Sequence, residues 1–310
     1  MKTETSDMNN HHHEGTTLEY LSRLKLSAQE VAGHFLADSN TLRDGMKILE
    51  CANRFRTYSD EAYGTFFDTW YCKHRSCPIC QWRKSLRYCS RVHRTLDQNP
   101  FLLQDKWIYL TLTVRNCDVN DLRATIEHMN QAFRRLMNRD FWKRHVRGGI
   151  RFVEVTESFF GGGNLNYIST HPHFHCLLRV SPSMHGGVNY ISEMQWAEEW
   201  QQALQVHYLP IVNSRRLAGE DQHLRNKIIS ATRYSMKPRV NPPARSWFLA
   251  AAKQMRGLRL VEPFGDIRAL FANLDDEASP GSTEGRNEIR QGHNPTVHVW
   301  DDSIGSYRSE

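Results

Sequence analysis

The spacing of apolar residues changes several times between residues 100 and 240, and each period predicts an element. Residues 107–114 (WIYLTLTV) are rich in β-branched and aromatic side chains, which predicts a buried strand. Residues 119–145 repeat apolar side chains every three or four positions, which predicts an amphipathic helix. Strands are predicted again at 151–156 and 171–180, and the glycine-rich segment 161–164 between them indicates an antiparallel hairpin.

Helical patterns lie on both sides of this strand-rich stretch. Residues 16–48 have the spacing of one or two helices. Ser192 is followed three residues later by Gln195, a capping-box pattern that opens a predicted helix over 192–207. Another helix is predicted over 221–237 and ends at Pro238. After residue 262, frequent Gly, Asp, Ser and Asn predict a loosely ordered acidic tail.

Composition restricts the class of protein. The chain has 310 residues, of which 39% are hydrophobic and 11% aromatic, and this excludes a wholly disordered protein. Its length suffices for a sizeable core without disulfides. No stretch approaches the roughly 18 consecutive apolar residues of a transmembrane helix. The polar first residues lack the apolar segment of a secretory signal, so we expect a cytoplasmic location and no membrane partner.

Charge is distributed unevenly along the chain. The formal net charge is only +6, but residues 46–261 carry 32 Lys and Arg against 17 Asp and Glu. Both ends are acidic, with seven acidic and four basic residues in 1–45 and ten against four in 262–310. A basic body between acidic ends favours a polyanionic partner, nucleic acid first, over a merely solvated basic surface.

Cysteines concentrate in one segment, since five of the seven fall between residues 51 and 89. Cys72, Cys77 and Cys80 are closely spaced, and in a reducing cytoplasm such clusters favour metal over disulfides. The fourth ligand of a tetrahedral site is predicted to be Cys51. The alternatives are His74, Cys89 and His93. Four protein ligands leave no position for water, so a zinc ion here is expected to be structural. The alternative, which is less favoured, is a group of buried cysteines without metal.

Histidines occupy alternate positions of the predicted strand 171–180. His171, His173 and His175 are predicted to share one face of a sheet, where imidazoles need partners, and metal binding is favoured over packing. Glu154 lies among apolar residues of the facing strand, where burying a carboxylate without a cation costs free energy. It is therefore the predicted further ligand, and Glu157 is the alternative. Two imidazoles and a carboxylate leave open positions, as a catalytic Mg²⁺ or Mn²⁺ requires.

A tyrosine lies on the predicted helix 221–237. Lys227, Ser230, Tyr234 and Lys237 are predicted to share one face of that helix. A tyrosine in this position can attack a phosphodiester while a metal polarises the phosphate, although a Tyr-x-x-Lys pattern is weak by itself. Residues 210–260 hold eleven Lys and Arg against two acidic residues, which favours a DNA channel around it.

These blocks occur in one order: a strand with YLTLT, a strand with PHFH and a helix with RYSMKP. The set resembles the plasmid rolling-circle replication initiators of the HUH endonuclease superfamily. The upstream CKHRSCPICQWRKS resembles the Cys-rich segment of the gram-positive-type plasmid members. The resemblance covers residues 46–240 and implies an α+β fold, in which an antiparallel sheet with helices packed on one face follows a small zinc-binding module.

The resemblance also implies roles for individual residues. The implied sets are His173, His175 and Glu154 for catalytic Mg²⁺ or Mn²⁺, Tyr234 as nucleophile with Lys237 beside it, and Cys51, Cys72, Cys77 and Cys80 for structural Zn²⁺. The predicted DNA contacts are Arg83, Lys84, Arg87, Lys227, Arg233 and Arg239. One departure is clear: similar initiators often carry a glutamate four residues before the tyrosine, where this chain has Ser230.

The implied activity is strand nicking at a plasmid origin in the bacterial cytoplasm. The protein would capture single-stranded or hairpin DNA, form a 5′-phosphotyrosine bond and free a 3′-OH primer for host helicase and polymerase. The alternatives are an HUH-type transposase or mobilisation relaxase, and a non-catalytic zinc-dependent nucleic-acid-binding protein. The predicted domains are a helical, partly disordered region (1–45), the Cys-rich zinc module (46–98), the nuclease (99–261) and the tail (262–310).

Overall fold

The computed structural model describes residues 17–60, 64–158, 169–238, 240–272 and 294–310. The chain divides into two compact units. The smaller unit comprises Met1–Leu86, Lys237–Pro242 and Leu274–Glu310, and the larger comprises Arg87–Met236 and Pro243–Asn273.

Helices and strands alternate through the described residues. The helices are α1 (Thr17–Leu36), α2 (Leu42–Glu50), α3 (Pro78–Gln98), α4 (Leu122–Met137), α5 (Asp140–His145), α6 (Pro182–Gly186), α7 (Glu193–Leu204), α8 (Asp221–Ser235), α9 (Arg245–Gln254) and α10 (Asp266–Ala272). The strands are β1 (Arg54–Asp60), β2 (Gly64–Thr69), β3 (Lys106–Thr113), β4 (Cys117–Asp118), β5 (Val146–Ser158), β6 (Ser169–Val180), β7 (Val212–Leu217), β8 (Val261–Gly265), β9 (Thr296–Asp301) and β10 (Ser306–Ser309).

The larger unit is built on an antiparallel sheet in the order β7-β3-β6-β5-β8, with β4 paired to the beginning of β6. The predicted hairpin is confirmed, because β5 and β6 pair antiparallel with Glu154 opposite His173. The glycine-rich segment 161–164 that was expected to turn it lies outside the described residues. The central position of β6 places its histidines in the middle of the sheet.

One face of this sheet is covered by α4 and α7. Phe174 of β6 is fully buried there, with its ring 6.0 Å from Phe133 of α4 and 6.3 Å from Trp200 of α7. Burying each such side chain stabilises the fold by about 1.5–3 kcal/mol. Because strand residues alternate, the residues between these core positions point to the opposite face, which α8 approaches through Ser235. The predicted fold class, an antiparallel sheet with packed helices, is confirmed.

The single helix predicted over 119–145 is divided in the structure. Asn138 caps the end of α4, and Arg139 adopts an extended conformation (φ −66°, ψ 146°) before α5 begins. The predicted helix over 221–237 is shorter than expected and ends at Ser235. Proline disfavours a helical conformation in the residue before it, so the chain leaves the helix ahead of Pro238.

The smaller unit holds a second antiparallel sheet, in the order β10-β9-β1-β2. The hydroxyl of Ser22 on α1 lies 3.2 Å from that of Ser306, and Tyr307 donates its hydroxyl proton to the carbonyl oxygen of Ala52. This sheet therefore joins the end of the chain to its Cys-rich segment.

The prediction of a loosely ordered tail does not hold for its described residues. β9 pairs with β1, so that Val299 lies opposite Arg54, and β8 is an edge strand of the larger sheet. Composition did not reveal these strands because their hydrogen-bonding partners lie far away in the sequence. None of the helices in the described part of the chain is long and apolar enough to cross a bilayer.

The predicted capping box at the start of α7 is present. Ser192 accepts a hydrogen bond from the backbone N–H of Gln195, whose side chain accepts one from the backbone N–H of Ser192. Ser192→Ala is expected to lower the free energy of unfolding by about 1 kcal/mol, because α7 loses this cap. Ser192→Asp retains a capping oxygen and should restore stability in the same urea titration; equal losses in both variants would contradict the assignment.

Candidate functional site

Four cysteines of the smaller unit converge on one point. Sulfur atoms lie 3.7 Å apart for Cys51 and Cys80 and 3.6 Å apart for Cys72 and Cys80, and Cys77 belongs to the same group. Four sulfurs at about 2.3 Å from a tetrahedral zinc ion are separated by about 3.8 Å. The observed spacing fits such an ion. Among the described residues, this group includes none of the alternative fourth ligands.

The backbone around these cysteines turns its N–H groups towards sulfur. Cys72 donates its N–H to the sulfur of Cys51, and His74 donates to that of Cys72, each at 3.5 Å. Lys73 between them adopts φ +59°, the left-handed conformation that permits this tight turn. The side-chain hydrogen bond from Cys51 lowers the pKa of Cys72, which favours a thiolate.

A second group of ligand atoms lies on the sheet face of the larger unit that α8 approaches. Oε2 of Glu154 is 3.0 Å from Nε2 of His173 and 2.7 Å from Nε2 of His175. Both imidazoles are largely buried, whereas the Glu154 side chain is 41% exposed, so the group opens towards solvent. A cation held here could therefore also receive oxygen atoms from a substrate.

The other ring nitrogens orient the two imidazoles. Nδ1 of His173 lies 3.4 Å from the carbonyl oxygen of His171. Nδ1 of His175 lies 3.1 Å from the hydroxyl oxygen of Thr111. These contacts turn Nε2 of both rings towards Oε2 of Glu154, an arrangement in which the three atoms could bind one metal ion.

Electrostatics keeps Glu154 ionised. Burial acts to raise the pKa of this carboxyl, but the hydrogen bonds to His173 and His175 outweigh burial and hold the pKa below its usual value. Burial lowers the pKa of the His175 imidazole, which favours the neutral ring. An ionised carboxylate and neutral imidazoles are the states that bind metal.

The two predicted alternatives near this group point elsewhere. Glu157 lies three residues after Glu154 on β5, opposite Thr170 of β6. Because side chains alternate between the two faces of a strand, Glu157 faces away from the histidines. His171 shares their face, but Asn116 holds its Nδ1 at 2.7 Å, and it lies outside the group of converging atoms. The structure thus brings together Glu154, His173 and His175.

Tyr234 lies in the last turn of α8, beside the histidine group. Its ring centroid is 6.0 Å from that of His175, and 42% of the residue is exposed. Lys237 is exposed two residues beyond the end of α8 and so does not share its face as predicted. Ser230 is exposed one turn before the tyrosine.

The residue that anchors this helix was not among the predicted site residues. Tyr109 of β3 stacks on His175, with centroids 5.5 Å apart, and its hydroxyl is 2.8 Å from that of Ser235, next to Tyr234. Burial raises the pKa of Tyr109, so its phenol stays protonated. The alternation of side chains along residues 107–114 (WIYLTLTV) could have indicated that Tyr109 and Thr111 share one face of the sheet. In a strand that is apolar on both faces, however, the sequence does not show which face carries the site.

The predicted DNA contacts lie mostly on helix surfaces. Lys84, Arg87 and Arg233 are exposed, Arg83 stacks over the ring of Tyr71 at 4.0 Å, and Lys227 donates to the carbonyl oxygen of Ala218. Arg239 lies outside the described residues.

Comparison with known proteins is consistent with this geometry. Residues 64–307 match the family described as replication protein (Rep_1). The chain belongs to this family of replication proteins. The resemblance to plasmid replication initiators that the motifs indicated is thereby confirmed.

Individual relatives carry the name Protein rep. The one from Streptococcus pneumoniae is 33% identical over 178 residues, which are 56% of this chain and 53% of that protein. The one from Lentilactobacillus hilgardii is 28% identical over 70% of this chain and 66% of its own length. The one from Bacillus amyloliquefaciens is 33% identical over 61% and 55%. The chain thus spans about half to two thirds of these relatives' lengths. No solved structure matches it.

The cysteine group predicts one structural metal. Cys77→Ser should reduce the zinc content of the purified protein by about one equivalent, measured by atomic emission, because a tetrahedral site loses one of its four ligands. Cys117→Ser, a half-buried cysteine outside the group, serves as the control. Unchanged zinc in Cys77→Ser would contradict the assignment.

The histidine group predicts a second metal with a different donor set. His175→Ala should weaken Mn²⁺ binding by about 100-fold in isothermal titration calorimetry, because one of three protein ligands is lost. His171→Ala removes an imidazole from the same face but not from the group, and should retain affinity within about threefold. Equal losses in both variants would show that the site is assigned to the wrong histidines.

Proposed function

We propose that this chain initiates plasmid rolling-circle replication by nicking one DNA strand at the origin. Membership of the replication protein family and the relatives named Protein rep support a role in replication. The observation that supports nicking is the position of Tyr234, whose ring contacts that of His175, one of three converging metal-ligand candidates. A nucleophile and a cation site meet at one place on the sheet.

The reaction we propose is a transesterification. Tyr234 attacks the phosphorus of one phosphodiester, the bond from phosphorus to the 3′ oxygen breaks, and the downstream segment becomes bonded to the tyrosine through its 5′ phosphate. The phenol gives up its proton and the departing 3′ oxygen gains one, which leaves a 3′-OH as primer. The Ser235–Tyr109 hydrogen bond holds the last turn of α8 over the sheet, so that the attacking oxygen is positioned. Lys237 follows in the chain as a cation for the phosphate.

The two groups of ligands call for different metals. Imidazoles with a carboxylate and open positions suit Mg²⁺ or Mn²⁺, which would polarise the phosphate and stabilise its developing charge. Glu154, His173 and His175 would hold it. Four thiolates suit Zn²⁺ in a structural role, held by Cys51, Cys72, Cys77 and Cys80.

Single-stranded or hairpin DNA is the substrate we propose, within the bacterial cytoplasm. Basic residues of α3 and α8 would contact phosphates, while host helicase and polymerase would extend the primer. The proposed contacts are Arg83, Lys84, Arg87, Lys227 and Arg233, together with Arg239, which lies outside the described residues. The division into a zinc module and a nuclease is part of the same proposal.

A transposase or mobilisation relaxase of the same superfamily would use similar chemistry. A second nucleophilic tyrosine near the first would favour these, but the sequence has no other tyrosine between Tyr208 and Tyr307. A zinc-dependent binder without catalysis would bind the same DNA and leave it intact.

The nucleophile is tested by trapping it. With Mn²⁺ and a panel of candidate origin hairpins labelled at the 3′ end, the unmodified protein should form a covalent adduct visible on a denaturing gel. Tyr234→Phe lacks the phenolic oxygen and should form none, a loss of at least about 10³-fold in rate. Tyr190→Phe is the matched control, since Tyr190 is exposed to the same degree.

The outcomes separate the proposals. An adduct with Tyr234→Phe would show that another residue is the nucleophile. Tight binding of the hairpins by the unmodified protein, without scission in any divalent metal, would favour the non-catalytic binder.

A further inference from the structure

The smaller unit contains a lysine in its interior. Lys25 lies in the middle of α1 with a relative exposure of 0%, between Leu24 and Ala28, which are equally buried. Lysine is almost never fully buried without a partner of opposite charge, because its ammonium group is strongly hydrated in water. The position therefore requires a compensating interaction.

Hydrogen bonds to Lys25 supply only part of this compensation. Nζ donates to the carbonyl oxygen of Leu49 at 2.7 Å, to that of Cys51 at 2.9 Å and to Oδ1 of Asn53 at 2.5 Å. An ammonium group has three N–H bonds, so these three acceptors satisfy it fully. All three are neutral, however, and neutral acceptors leave a buried positive charge without a counter-charge.

The cysteine group lies next to this charge. Cys51 accepts from Nζ through its carbonyl oxygen while its sulfur joins those of the other three cysteines. Burial disfavours the ammonium form of Lys25 and lowers its pKa. Asp302, an acidic residue near enough to act on Lys25, is exposed at the surface and accepts from Gln29 and Trp300.

A divalent ion bound by four thiolates carries two negative charges in excess. In the interior such an excess is as costly as the unpaired ammonium, and the two offset each other when they are adjacent. We propose that Lys25 is the buried counter-charge of a tetrathiolate metal site formed by the four cysteines, so that α1 folds onto the loaded site. The positive charge of Lys25 thus couples α1, which lies outside the Cys-rich segment, to metal binding.

A competing explanation comes from the helix that Lys25 touches. Leu49 and Cys51 stand at the C-terminal end of α2, where free carbonyl groups favour a cation. If capping α2 were the only role, replacing Lys25 would destabilise the fold equally with and without metal. If Lys25 is the counter-charge, its replacement weakens metal binding itself, because the two stabilise each other reciprocally.

The affinity for zinc distinguishes these roles. In the full-length protein, Lys25→Met is expected to weaken zinc binding at least tenfold in competition with a chromophoric chelator. Lys25→Gln retains a hydrogen-bond donor without the charge and should show a similar loss. Lys47→Met removes an exposed lysine of α2 and should stay within twofold. The loss should persist in 0.5 M KCl, because a buried charge is only slightly screened.

An unchanged zinc affinity in Lys25→Gln, with equal falls in melting temperature in the zinc-loaded and zinc-free protein, would overturn the proposal in favour of simple capping. Hydrogen exchange of the unmodified protein gives a test that needs no variant. Chelation of zinc should speed exchange across α1 at residues 17–36 while leaving α4 unchanged. Unaltered protection of α1 after complete zinc removal would likewise refute the coupling.

Discussion

The antiparallel register between β5 and β6 is the constraint on which the candidate catalytic site depends. It places Glu154 opposite His173, and the alternation of each strand then brings His175 onto the same face. A shift of one residue would turn Glu154 towards the helices α4 and α7 and leave the imidazoles without a carboxylate. The packing of Val153 of β5 against that core opposes such a shift, because the slip would turn this side chain to the other face.

The two faces of the larger sheet therefore differ in character. Its first face is a dry aromatic core, closed by α4 and α7, that fixes the strands. Its second face carries polar groups, and α8 is joined to it by the hydrogen bond between Ser235 and Tyr109. The tyrosine that we propose as the nucleophile would need this attachment, because reaction with a bound phosphate requires close positioning.

The smaller unit is organised around its four cysteines and its own antiparallel sheet. A metal ion bound by its four cysteines would crosslink segments of this unit, as a disulfide would elsewhere. Strands from both ends of the chain pair in its sheet, and Lys25 extends the cysteine group towards α1. Regions that lie far apart in the sequence are therefore parts of one folded unit.

The sequence by itself determined the residues whose chemistry is distinctive. Cysteine spacing, alternating histidines and a tyrosine on a basic helix are local patterns, and the elements that carry them follow from periodicities of two and 3.6 residues. Only the tertiary structure decided which partners complete them: Glu154 over Glu157, Cys51 over the other candidates, Tyr109 and Ser235 behind Tyr234, and Lys25 beneath the cysteines. Each of these choices depends on a contact between residues distant in the chain, and local periodicity carries no information about such contacts.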